Sequence, residues 1–235
     1  MTVCIVLLVL GALALICYVR EKLRAYTLKA AFWKSAVSAI FCATAVCAWQ
    51  SAGGTQTMGA FTVLGLLFGL MGDIWLDLKY VYPAQDKPFT YAGFLTFGVG
   101  HILYMTGLIL QFGRPGAAWY VVVPIALGVV LGLGNALLEK PMKLRYGDMK
   151  PIVIVYGALL FAMVLLAGGL ALLHRWQAPC LNVFFAGGVL FALSDLVLSG
   201  TYFGENHEKP VDIILNYIFY YGGQFTIAVS LLFLR

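Results

Sequence analysis

Residues 59–78 read GAFTVLGLLFGLMGDIWLDL: a run without a charge or a proline until Asp73, followed by Asp77 one helical turn later. About 20 apolar residues in a row is the length that crosses the hydrocarbon core of a bilayer as an α-helix. The segment therefore reads as a membrane span carrying two carboxyls at one end. Seven further apolar runs bounded by charge, Pro or polar clusters accompany it, at roughly 2–19, 30–50, 91–112, 117–138, 151–173, 180–200 and 211–234. The composition agrees. The chain has 235 residues, of which 62% are hydrophobic and 11% charged, against roughly 25% charged in a soluble domain. Its mean hydropathy is +0.93. This excludes a soluble or disordered chain, a disulfide scaffold and a nucleic-acid-binding module. The fold expected is all-α: a polytopic membrane protein of eight transmembrane helices in one domain, residues 1–235.

The first run lacks a basic leader, because no Lys or Arg precedes Arg20, and it shows no small-residue cleavage site; it reads as a retained span. Orientation follows from the loops. Arg20, Lys22, Arg24 and Lys29 follow the first span, Lys79 and Lys87 the third, Lys140, Lys143, Arg145 and Lys150 the fifth, and Lys209 the seventh. Only Arg114, Arg175 and Arg235 fall on the other side. Basic residues concentrate on the cytoplasmic side of membrane proteins, so both termini are expected on the non-cytoplasmic side. The net charge of +5 then reports topology rather than an acidic partner. The cysteines, Cys4, Cys17, Cys42, Cys47 and Cys180, show no metal-ligand or redox spacing and read as small buried hydrophobes.

Ionisable residues inside a span are costly, about 2.5–3.5 kcal/mol at a helix centre on insertion scales. Those present are few: Lys34 in the second span, Asp73 and Asp77 in the third, His101 in the fourth and Asp195 in the seventh. Polar companions are Tyr104, Asn135, Tyr156, Asn216, Tyr217, Tyr220, Tyr221 and Gln224. With the orientation above, nearly all fall in the cytoplasmic half of the bilayer or at its middle, which implies one polar cavity opening toward that leaflet. Spacing agrees, since Asp73/Asp77, His101/Tyr104 and Tyr217/Tyr221/Gln224 each share a helix face. Plainer roles remain open at this point. Lys34 can snorkel to the interface, Asp77 can be solvated at the boundary, the tyrosines can form an interfacial belt, and His101 can be a packing residue. Asp73 and Asp195 are the hardest to explain that way, because each sits in an apolar stretch, GLMGDIWL and FALSDLVL, directly after a small residue.

Two buried carboxyls with a Lys and a His permit acid–base chemistry, one carboxyl acting as acid and the other as base. One intramembrane His and no H-x-x-x-H leave no metal site, and neither a nucleophilic serine motif nor a phosphate or dinucleotide loop is present. No cofactor is expected. The two Asp segments also align with each other at an offset of 122 residues, with Lys34 and Tyr156 each 39 positions before their Asp and His101 and Gln224 at 28 and 29 after. This suggests a 4+4 parallel internal repeat whose halves face each other.

The segments GDIWLDL, FGVGHILY, LSDLVLS and YYGGQ, in this order and with a Lys early in the second span, resemble the YhhN family, which includes lysoplasmalogenases. The resemblance covers nearly the whole chain; where family members often carry Lys-Pro, this chain has Lys34-Ser35. It implies hydrolysis of the vinyl ether bond of a lysoplasmalogen to a fatty aldehyde and a glycerophospho-head group. It further implies that Asp73 and Asp195 are catalytic, with Lys34, Asp77, His101, Tyr104, Asn135, Tyr156, Asn216, Tyr217, Tyr221 and Gln224 binding substrate or supporting the carboxyls. The substrate would be a lysophospholipid drawn from the inner leaflet of the cell membrane. The competing readings are a small proton-coupled transporter and a lipid-binding membrane protein without turnover.

Overall fold

The computed structural model describes residues 1–25, 27–204 and 209–234. Eight α-helices form, and no strand occurs among the described residues: α1 Thr2–Lys22, α2 Leu28–Ser51, α3 Thr57–Val81, α4 Asp86–Phe112, α5 Trp119–Leu138, α6 Lys150–Leu173, α7 Pro179–Phe203 and α8 Pro210–Ser230. Each expected span falls on its helix. Six of them, α1–α4, α6 and α7, are long and apolar enough to cross a membrane by length and composition. The apolar part of α5 is the shorter stretch Trp119–Asn135, and α8 carries the most polar face of the set.

Local chemistry sets the ends. Thr27 caps α2, its hydroxyl accepting from the Ala30 amide. Gly53 and Gly54, both at positive φ, turn the chain between α2 and α3. Pro179 and Pro210 open α7 and α8 at first-turn positions where no amide hydrogen is needed.

The bundle is a set of antiparallel hairpins. Close packing joins α1 to α2, α3 to α4, α5 to α6 and α7 to α8, then α2 to α3 and α6 to α7. Across the middle, α4 packs on α6 and α8 packs on α2. Every pair so far named in the first four helices has its counterpart four helices on, the cross pairs included. The 4+4 repeat remains a proposal, and this matching supports it. Two backbone crossings match as well. A methyl group on Gly100 would stand 3.0 Å from the Gly65 carbonyl oxygen, and one on Gly223 would stand 2.8 Å from that of Gly187. Helices that pack in lipid gain contact by such close approach of small residues.

The basic loops gather at one end. Lys87 pairs with Asp148, and the Arg145 amide donates to the Phe203 carbonyl at 2.7 Å. At the other end, Gln56 reaches the Leu234 carbonyl at 3.5 Å, and His174 Nε2 lies 2.9 Å from the Phe112 carbonyl. The outer flanks of α1 and α5 expose Val6, Val9, Leu13, Val122, Val130 and Leu133. Such a surface is stable only against lipid, so this is a membrane protein. The polar residues lie inside, between α2, α3, α4, α6, α7 and α8.

Candidate functional site

The site is built around three carboxyls on two helices. On α3, Gly69, Gly72 and Asp73 share a face that lets neighbouring side chains close in: a methyl group on Gly69 would meet Gln224 Nε2 at 3.3 Å. Asp73 is 1% exposed. Its Oδ1 lies 3.3 Å from Lys34 Nζ, and its Oδ2 accepts from Ser38 at 2.6 Å and Tyr220 at 2.7 Å. Gln224 donates in turn to the Tyr220 hydroxyl at 3.2 Å.

One turn along α3, Asp77 is equally buried. Its Oδ1 gathers Lys22 Nζ at 2.9 Å, Lys34 Nζ at 3.5 Å and the Tyr18 hydroxyl at 3.2 Å. Tyr18 lies 2.6 Å from Tyr217, hydroxyl to hydroxyl. Lys34 therefore does not snorkel; it bridges two carboxylates. Asp77 is not solvated.

Asp195 on α7 is different. It accepts from the Tyr156 hydroxyl and, at 3.3 Å, from Ser194, and among the described residues no cation pairs with it. Asn216 ties α8 to the same turn by donating to the Ser194 carbonyl at 2.8 Å. Tyr156 packs on Phe94 and His101, ring centroids at 5.1 and 5.5 Å.

Two spaces meet at this carboxyl. The first holds about 620 Å3 of empty space, its open mouth included. Its walls are largely apolar and come from α4 to α7, among them Phe94, Val153, Leu160, Phe161, Ala192 and Leu196, with Asn135 also lining it. The second, about 440 Å3 with its opening, also has apolar walls, Leu76, Phe97 and Phe191 among them, but it alone holds the charged pair Lys34 and Asp73, with Asn216, Tyr217 and Tyr220. Both are bordered by Phe94, Tyr156, Asp195, Leu198 and Tyr202. Asp195 thus stands where a greasy chamber becomes a charged one. Phe97, Phe191 and Tyr220, with centroids 5.3 to 6.1 Å apart, form an aromatic wall of the second chamber.

The expected residues are thus brought together, though Asp77, His101, Tyr104, Tyr221 and Gln224 line neither space. His101 is enclosed by the Tyr156 and Phe191 rings, and neither ring nitrogen has a hydrogen-bond partner among the described residues. Tyr104 packs against Gly65 and Phe184. Both stiffen the wall rather than line either space. Tyr221 lies behind Asp73, its hydroxyl 3.4 Å from Ser38 Oγ.

Sequence reading missed Tyr18, Lys22 and Ser38. It assigned Lys22 to the basic loop after α1, whereas α1 extends to that residue and its amine points inward. Ser38 was within reach of the pattern, because it lies one turn after Lys34 on the same face of α2.

The model of the YhhN family matches residues 29–231. The chain belongs to the YhhN family. No curated protein and no solved structure matches it. The match begins beyond α1, so the helix that supplies Tyr18 and Lys22 lies outside the part of this YhhN protein that the family model covers. Among the described residues there is no group of three His, Cys, Asp or Glu that could hold a metal ion.

Proposed function

We propose that this YhhN protein hydrolyses the vinyl ether bond of lysoplasmalogens. The observation that carries the reading is the place of Asp195, on the border between an apolar chamber and one that holds the charged pair Lys34 and Asp73. A lysoplasmalogen has its reactive bond at the corresponding border of the molecule, between a long alkenyl chain and a glycerophospho-head group. With the chain in the apolar chamber and the head group beyond Lys34, the vinyl ether lies beside Asp195.

Asp195 is the acid. Among the described residues no cation holds it as a carboxylate, and an unpaired charge in a span is expensive. It donates its proton to the enol carbon of the vinyl ether, which leaves an oxocarbenium ion. Asp73, held as a carboxylate by Lys34, faces the same chamber and stabilises that cation. Water then adds to the oxocarbenium carbon, its proton returning to a carboxylate. The hemiacetal collapses with cleavage of the carbon–oxygen bond. One water is consumed, and one aldehyde and one alcohol are released. Glycosidases divide labour between two carboxyls in a related way. Tyr156 orients Asp195, while Ser38, Tyr220 and Gln224 orient Asp73.

The substrate enters from the cytoplasmic leaflet of the cell membrane, and both termini lie on the opposite side, in line with the basic loops at the cavity end of the bundle. The deciding experiment measures aldehyde release from choline and ethanolamine lysoplasmalogens by protein purified in detergent, wild type against Asp195→Asn. Release that disappears in the variant is expected. No release from wild-type protein at any pH with either head group rejects the reading, and uptake by proteoliposomes then tests the carrier alternative.

A further inference from the structure

Among the described residues the cluster contains three carboxyls and two cations: Asp73 and Asp77, both buried, and the half-buried Asp195, against Lys22 and Lys34. Lys79 also faces Asp77, but it brings its own carboxylate, pairing with Asp86 at 3.5 Å and lying over the Tyr202 ring, so it leaves this balance unchanged. Which carboxyl is left over depends on where the two amines sit. Lys22 lies 2.9 Å from Asp77 Oδ1, nearer than Lys34 at 3.5 Å. Lys34 in turn lies closer to Asp73, at 3.3 Å. Tyr18 fills a further position on Asp77. Neither amine pairs with Asp195.

We propose that Lys22 and Tyr18 of α1 are positioning residues: by holding Asp77 they release Lys34 to Asp73, and they fix the cluster at two cations, two carboxylates and one carboxylic acid. The first helix, outside the region that the family model matches, thereby sets the charge state of a site it does not line with a carboxyl of its own. Lys22 and Tyr18 on α1, Lys34 on α2, and Tyr217 and Tyr221 on α8 face Asp77, together with Lys79 from its own helix and Tyr202 from α7. Of these only Lys22 and Lys34 form an ion pair with it. Without Lys22, one amine would face two carboxylates in a medium where an uncompensated charge is strongly disfavoured, so the cluster would take up one proton.

This goes beyond the hydrolase reading and does not need it, since the charge state is read by spectroscopy and not by turnover. The measurement is the infrared carbonyl stretch of protonated carboxylic acids, recorded on the full chain in lipid nanodiscs at neutral pH. Wild-type protein is expected to show one carboxylic acid band, lost in Asp195→Asn. Lys22→Met gains a second, about a twofold rise in intensity, and Lys22→Arg stays as wild type. The double variant Lys22→Met/Asp77→Asn removes a cation and a carboxylate together and returns to one band. A folded Lys22→Met with the wild-type spectrum overturns the proposal. If that variant does not fold, the double variant decides: folding with one acid band supports the proposal, and two bands or failure to fold overturns it. An unchanged aldehyde assay alongside these spectra would bear on the hydrolase reading alone.

Discussion

Asp73 and Asp195 lie equally far into α3 and α7, each directly after a small residue, and their surroundings differ in one respect that matters. At the position 39 residues upstream, the first half has Lys34 and the second has Tyr156. Each reaches its own Asp. One carboxyl therefore meets an ammonium and the other a phenol. The ammonium, Ser38 and Tyr220 all contact Asp73 in a crowded site. The phenol and Ser194 give Asp195 donors without charge, and the apolar chamber opens beside it. In the proposed mechanism this change of residue type is what separates a carboxylate from a carboxylic acid, the division that acid–base catalysis needs.

That contrast can be broken at several points. The largest expected effect is on Asp195→Asn, which removes the proton donor. Aldehyde release should fall by roughly 10²–10⁴-fold, with little change in thermal stability, because no ion pair is lost. Asp73→Asn should also lower release, but its stability loss should be the greater of the two. It strips a buried amine of one partner and leaves two hydroxyl donors badly placed, and breaking a buried pair costs about 3–5 kcal/mol where nothing compensates. Here Asp77 still holds Lys34, so the lower end of that range is expected, read as the melting temperature in detergent. Equal melting temperatures for the two Asn variants would contradict the contrast drawn above.

Smaller effects sharpen it. Tyr156→Phe removes a donor from Asp195, and a loss of about 1–3 kcal/mol is typical for such a buried group. The fall in aldehyde release should be correspondingly about 10-fold or more. Tyr220→Phe takes one of several donors from Asp73 and should cost less in the same assay. The reverse order would place the acid on α3. Smallest of all, Lys29→Ala breaks an ion pair with Glu21 in which the lysine is 65% exposed. Such a pair is worth about 0–1 kcal/mol, and neither stability nor release should move.

The sequence made α3 and α7 legible because a carboxyl in the middle of FALSDLVL or GLMGDIWL has no bland explanation in lipid. The eight helices followed from run length and breakers alone. Lys34 was ambiguous by itself: an amine one turn into a span is compatible with snorkelling until the helix facing it is known, and only the packing of α2 on α3 turns it inward. Lys22 was concealed by its neighbours. Next to Arg20 and Arg24 it looks like one more loop charge, and its inward direction depends on α1 leaning on α2 and α8. His101 shows the converse, since an intramembrane histidine invited a chemical role while the fold gives it a box of rings.

The glycine crossings have a consequence for how this chain tolerates change. Gly65 with Gly100, and Gly187 with Gly223, bring backbone against backbone where any side chain would collide with a carbonyl oxygen or a neighbouring ring. None of the four lines either chamber. In a complete mutational scan scored by survival of function, they would rank with the aspartates, and a reader of that scan would take them for active-site residues. They are the pivots on which the two aspartates are mounted, and the scan would be reporting the mounting.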